Sequence, residues 1–261
     1  LVGIAADEGL LALDAPAPVA AWQEPGDPRR AITVDQLLRQ SSGLAFDEHY
    51  GAVNDVSRML FTRGDMGAFA ASFALDHPPD QVWSYSSGTS NLLARVLRQA
   101  LGGELVRVVR FARTRLFEPA GMHTAFFEPD ASGSFVGSSF VFASPRDWAR
   151  FGQLHLQNGL WEGRRVLPEG WVDYVTTPTP AAPEGSYGAH WWLNAGDREH
   201  PEQRTWLRLP REVYAARGHS GQAVVVDPTA ELVVVRLGLD QPGAEPGIEA
   251  LVAALRDALA P

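Results

Sequence analysis

The chain has 261 residues, 45% apolar and 20% charged, enough to bury a substantial core as one large domain or two interleaved subdomains. A net charge of -9 argues against a nucleic-acid partner, since neutralising phosphates takes clustered cations, and no apolar run approaches the roughly 20 residues of a membrane span. Cysteine is absent, which excludes disulfides, thiolate catalysis and Cys-ligated metals; lysine is absent too, every basic residue other than histidine being arginine.

In chain order, Leu1, Ile4, Ala5, Leu10 and Leu11 form one apolar face of a helix over about residues 1–9. That helix opens without a capping residue, so upstream sequence is expected. A Pro/Gly-rich stretch, 15–30, leads to Thr33 as the N-cap of a helix over 34–39, which Ser41-Ser42-Gly43 ends. Residues 46–61 read as polar and irregular, and 67–75 as a short helix broken by His77-Pro78-Pro79. After Tyr85-Ser86-Ser87, Thr89 can cap an amphipathic helix with Leu92, Leu93, Val96, Leu97, Ala100 and Leu101 on one side, closed by Gly102-Gly103. A further helix covers 105–116. Ser144-Pro145-Arg146-Asp147 combines a cap, a proline at the first helical position and an acid in the first turn, starting a helix that stops at Asn158-Gly159.

The C-terminal third changes character. Residues 187–193 read as a strand, and the valine runs 223–226 and 232–235 flank Asp227-Pro228-Thr229-Ala230-Glu231 as a hairpin covered on both faces. A last amphipathic helix spans 248–259. The fold class is α/β (α+β): an antiparallel sheet flanked by helices, with a helical part over 1–180 and the strands and final helix over 181–261.

Chemistry has three candidate homes. Tyr85 stands at a loop-to-helix junction, where a phenol can reach a cleft, or can be an ordinary half-buried tyrosine. Gly218-His219-Ser220-Gly221-Gln222 nearly matches the G-x-S-x-G elbow but ends in Gln222 and precedes a strand, so that nucleophile motif fails. What remains is a strand edge whose N–H groups can hold an oxyanion, or a turn of small residues. Phe46-Asp47-Glu48-His49-Tyr50-Gly51 crowds two acids, an imidazole and a phenol; with no second histidine at ligand spacing, a solvated loop is the plainer reading and no metal site is assigned.

Taken in order, these segments resemble the β-lactamase-related, penicillin-binding-protein-like serine hydrolases, which include class C β-lactamases, family VIII esterases, DD-peptidases and 6-aminohexanoate-dimer hydrolase. Residues 1–14 are similar to the helix that follows the family's nucleophile, Ile32 through Leu44 to its LLxHTSG segment, and Trp161-Glu162-Gly163 to its NGxWxG turn. The loop from Phe46 to Tyr50 is most similar to the 6-aminohexanoate-dimer hydrolase branch. The resemblance implies a β-lactamase/transpeptidase-like fold and acyl transfer on a small ester or amide with no cofactor. It makes Tyr85 the catalytic tyrosine and Ser87 its partner in the Y-x-S motif. It makes His219-Ser220-Gly221 the strand triad, the Gln222 N–H an oxyanion donor, and Tyr50 the substrate-side tyrosine.

One departure bears on mechanism. No Ser-x-x-Lys can exist without lysine; by the resemblance it falls just upstream of Leu1. Ser41, Ser42, Ser86, Ser87 and Ser220 read as turn, cap or pocket residues. The expectation is therefore a partial domain, inactive by itself, with its N-terminal strands absent and an uncovered sheet edge that a second copy or a complementing N-terminal fragment would fill. A non-catalytic ligand-binding module of the same fold is the alternative. Localisation is left open.

Overall fold

The computed structural model describes residues 1–50, 53–240 and 247–259; Gly51 of the acidic loop lies outside them. The chain forms two compact units, one of residues 1–116 and 125–142, the other of 117–124 and 143–261.

The first unit is helical: α1 (Val2–Asp7), α2 (Val34–Leu38), α3 (Asp55–Thr62), α4 (Met66–Ala71), α5 (Ser87–Ala100) and α6 (Leu105–Ala112), with a small antiparallel pair of β1 (Phe126–Phe127) and β2 (Val141–Phe142). Thr33 caps α2 as expected: its Oγ1 accepts from the Gln36 N–H while the Gln36 Oε1 accepts from the Thr33 N–H, satisfying two otherwise orphaned donors. Around α5, the centre of the unit, Leu92, Leu93, Val96 and Leu97 are at most 5% exposed. Each such side chain contributes about 1.5–3 kcal/mol of burial. The indole of Trp22, fully buried, donates to the Ala71 carbonyl at 2.9 Å and ties the Pro/Gly-rich stretch to α4.

Several elements differ from the sequence reading, and in this unit the helix expected over 67–75 ends at Ala71. Helix α3 lies inside the stretch expected to be irregular; Asn54 caps it through the Ser57 N–H, and Val56 and Met59 bury one face. The cap of α5 is Ser86, whose Oγ accepts from the Thr89 N–H at 3.0 Å; Thr89 is already helical and is itself the capped residue. The helix expected over 105–116 leaves α geometry after Ala112 and continues as a π turn, Arg113–Phe117.

The second unit holds α7 (Pro145–Leu156), the hairpin β3 (Leu160–Trp161) and β4 (Arg164–Arg165), α8 (Trp171–Thr176), the strands β5 (Trp192–Leu193), β6 (Tyr214–Arg217), β7 (Ala223–Asp227) and β8 (Leu232–Arg236), and α9 (Ile248–Leu259). The four strands pair in the order β5-β6-β7-β8, antiparallel throughout, with Val224 opposite Val235 and Val226 opposite Val233. Because side chains alternate along a strand, Val224 and Val233 meet α7, while Ala223, Val225 and Val234 pack with Ile248, Val252 and Ala253 of α9. All five residues of β7 are buried, as the valine run implied, whereas β8 buries only Val234 fully. Of the strand expected over 187–193 only β5 forms: His190 has φ 60°, a left-handed turn that breaks the extended run and leaves Tyr187 with a single bridge to Trp192. Among the described residues, no helix is long and apolar enough to cross a membrane.

Candidate active site

Tyr85 sits half-buried in the extended segment that enters α5. Its backbone neighbours are both held by one residue. The carbonyl of Gln40 accepts from the Ser84 N–H at 3.0 Å and its Oε1 accepts from the Ser86 N–H at 3.1 Å, while its Nε2 donates to the Ser90 Oγ at 3.1 Å. Gln40 is 1% exposed and has φ 60°, a strained backbone held by these bonds. Tyr85 is thus bracketed by fixed peptide groups on both sides.

Ser87 is the first residue of α5 and carries two donors for one carboxylate. Its N–H donates to the Glu48 Oε2 at 2.7 Å and its Oγ donates to Oε1 at 2.6 Å. The N–H belongs to a helix's first turn, where no intrahelical acceptor exists and the helix dipole favours negative charge. Burial nevertheless pushes the Glu48 carboxyl above its ordinary value, with the bonds from Ser87 opposing that rise. Tyr50 is 63% exposed. Its phenol is raised, first by the buried part of the ring and then by the Glu48 charge, against a hydrogen bond with Ser87 that lowers it. Glu48 therefore gathers Tyr50 and Ser87 around itself.

In the second unit, His219, Ser220, Gly221 and Gln222 form a turn, not the strand edge expected from sequence. Pairing between β6 and β7 ends at Arg217 opposite Ala223, and the Gly218 N–H donates to the Gln222 carbonyl at 2.7 Å. His219–Gly221 is a single 3₁₀ turn in which Ser220 has φ 54° and Gly221 φ 80°. Two successive left-handed residues reverse the chain and end the ladder, which is why the triad leaves the strand. The Gln222 N–H faces the His219 carbonyl at 3.5 Å, the outer limit of a hydrogen bond, so this donor is only weakly engaged inside the turn.

The structure thus joins Tyr50 and Ser87 in the first unit, with Tyr85 on the segment leading into Ser87, and makes one turn of the other four residues in the second unit. Sequence reasoning did not single out Gln40, and it read Glu48 only as one of two acids in a crowded, solvated loop. Gln40 stands directly before Ser41-Ser42-Gly43, where a left-handed residue at a helix end was the available signal; Glu48 lies two residues before Tyr50. In the acidic loop, the Asp47 Oδ1 accepts from the His49 N–H at 3.0 Å and lies 2.7 Å from its Nδ1. Among the described residues no group of three His, Asp or Glu side chains could hold a metal ion.

A family model described as Beta-lactamase matches residues 1–258. The chain belongs to the β-lactamase family. This is a family of β-lactamase-fold serine hydrolases, and the β-lactamase-family chain is 27% identical over 167 residues to the 6-aminohexanoate-dimer hydrolase of Paenarthrobacter ureafaciens, covering 59% of this chain and 38% of that protein. It is 33% identical over 109 residues to penicillin-binding protein 4* of Bacillus subtilis, 38% of this chain and 22% of that one. The matches thus span less than two fifths of the length of either curated relative. A family VIII carboxylesterase shares the fold with a TM-score of 0.71 at 15% identity, over 98% of this chain and 79% of that structure.

Proposed function

We propose that this chain is part of a serine hydrolase that cleaves an ester or amide through an acyl-enzyme, with Tyr85 and the 219–222 turn carrying the family's motif roles. The observation that carries the reading is Tyr85 itself: a tyrosine at the entrance of α5, its flanking N–H groups fixed by Gln40, followed by a serine in the Y-x-S position. In this reading Tyr85 relays a proton between the nucleophile and the leaving group, and Ser87 keeps the adjoining loop in place through Glu48. Tyr50 contacts the substrate side. His219-Ser220-Gly221 takes the part of the family's triad, and the Gln222 N–H donates to the oxyanion. A linear amide of the kind named for the Paenarthrobacter relative is the favoured substrate class.

In this reading the acylating serine and its lysine are not supplied by these 261 residues, which hold no lysine, and the chain by itself is expected not to turn substrate over. That same absence favours a second reading, a ligand-binding protein of the same fold without catalysis. A serine-directed fluorophosphonate probe, applied to protein expressed from the whole coding sequence, separates the two. Labelling that disappears on competition with an ester or amide substrate supports the hydrolase; folded protein that stays unlabelled sinks it. In a labelled protein, Tyr85→Phe should lower turnover by orders of magnitude with an unchanged fold, and near-normal turnover would exclude Tyr85 from the chemistry.

A further inference from the structure

The turn 219–222 is held from one side by two residues that follow it on and beyond β8. The Arg236 Nη1 donates to the Gly221 carbonyl at 2.7 Å. The same guanidinium pairs with Asp240, through Nη1 at 3.2 Å and through Nη2, and the Asp240 N–H donates to the Ser220 carbonyl at 2.9 Å. Both side chains are largely shielded, at 26% and 15% exposed. The pair lies directly against Gly221: a Cβ there would meet the Asp240 Oδ2 at 1.9 Å and the Arg236 Nη1 at 2.8 Å. Space for this ion pair exists only because residue 221 has no side chain, and its φ of 80° suits glycine for the same reason.

A peptide group is planar and, when trans, points its C=O and the following N–H in opposite directions. This chain has no cis bond among the described residues. Fixing the Gly221 carbonyl on Arg236 therefore fixes the direction of the Gln222 N–H, away from the ion pair. Fixing the Ser220 carbonyl on the Asp240 N–H does the same for the Gly221 N–H. We infer that Arg236, braced by Asp240, is a positioning residue that aims the Gln222 N–H donor. It does so without touching substrate. The inference rests on the oxyanion role proposed above for Gln222. A guanidinium suits the task because one rigid fork can hold a carbonyl and a carboxylate together, which a single ammonium holds less firmly.

The experiment uses protein expressed from the whole coding sequence, its hydrolysis of an ester substrate, and a boronic acid that mimics the tetrahedral intermediate. Arg236→Met is expected to lower kcat by about 10- to 100-fold with KM within about twofold, because an aimed donor matters most when charge develops on the oxygen. Boronate affinity should fall in parallel, and Arg236→Lys and Asp240→Asn should lie between parent and Arg236→Met. A general loss of folded protein would lower the active fraction but leave the boronate affinity of the remainder untouched. That result, or an Arg236→Met enzyme with kcat within about twofold of the parent, overturns the inference and leaves the hydrolase reading standing. A parent protein that neither hydrolyses ester nor binds boronate defeats the hydrolase reading, and this inference with it.

Discussion

Glu48 and Ser87, 39 residues apart, are joined by two hydrogen bonds, N–H to Oε2 at 2.7 Å and Oγ to Oε1 at 2.6 Å. The carboxylate spends its two oxygens on the first residue of α5 and so attaches the loop carrying Tyr50 to the segment carrying Tyr85. Burial raises the Glu48 carboxyl above its ordinary value of 4.5, the Ser87 bonds only partly opposing it. The folded chain thus holds a proton there at a pH where the unfolded chain has lost it. This contribution to stability is whole at low pH and declines as pH rises from about 4.5 through the raised value.

Glu48→Gln should flatten that part of the stability curve while leaving Ser87 one acceptor. Glu48→Ala should cost about 1 kcal/mol by leaving the Ser87 donors unmatched. Urea melts from pH 4 to 7 would show both, and curves for Glu48→Gln running parallel to the parent would contradict the assignment.

His155 works in the opposite sense. It is 4% exposed, its Nδ1 donates to the Phe151 carbonyl at 2.9 Å, and its ring lies 4.6 Å from those of Phe151 and Trp191. Burial pushes the imidazole from 6.5 down to about 4. The unfolded chain therefore binds a proton first, and stability that is whole above pH 6.5 is lost as pH falls toward 4, by up to about 3 kcal/mol. His155→Phe should remove most of this acid slope. Denaturation midpoints for that variant that still fall steeply between pH 6.5 and 4 would place the sensitivity elsewhere.

Gly152 marks the contact of α7 with the sheet. An alanine there would bring its Cβ to 2.5 Å from the Val233 Cγ1 and 3.0 Å from the Val224 Cγ1. Both valines are β-branched and cannot swing aside cheaply. Alanine gains roughly 1 kcal/mol in helix propensity, but overpacking costs about 1–3 kcal/mol, so a net loss of up to about 2 kcal/mol is expected. Thermal denaturation of Gly152→Ala at or above the parent Tm would show that α7 can shift.

Asp227 ends β7 at 1% exposure and serves three partners. Its Oδ1 accepts from the N–H of Thr229 and of Ala230 and from the Thr229 Oγ1, shaping the hairpin turn, while its Oδ2 pairs with Arg256 of α9. Asp227→Ala should cost about 3 kcal/mol, toward the low end for a broken buried pair because Arg256 retains some solvent. Amide exchange should accelerate in 248–259 ahead of β6. Uniform acceleration across the unit, or none, would mean that α9 is held by its apolar face alone.

Much of this protein could be read locally. The Ser144-Pro145 start of α7, the β7–β8 hairpin around Asp227-Pro228 and the bounds of α9 depend on signals within a few residues, caps, turn formers and periodicity, and all three are present as read. The order of the motifs was enough to place the chain among β-lactamase-related hydrolases, and the family match over residues 1–258 agrees. Tertiary contacts decided the rest. Ser86 rather than Thr89 caps α5 because Gln40, 46 residues earlier, holds the Ser86 N–H and fixes where the helix begins. Beside the His219-Ser220-Gly221 turn, pairing of β7 with β8 brings Arg236, with Asp240 beyond it, against Gly221, a contact the local sequence does not show. Such contacts close long loops between residues whose neighbours in sequence carry no trace of them, so only the folded chain shows which polar groups meet.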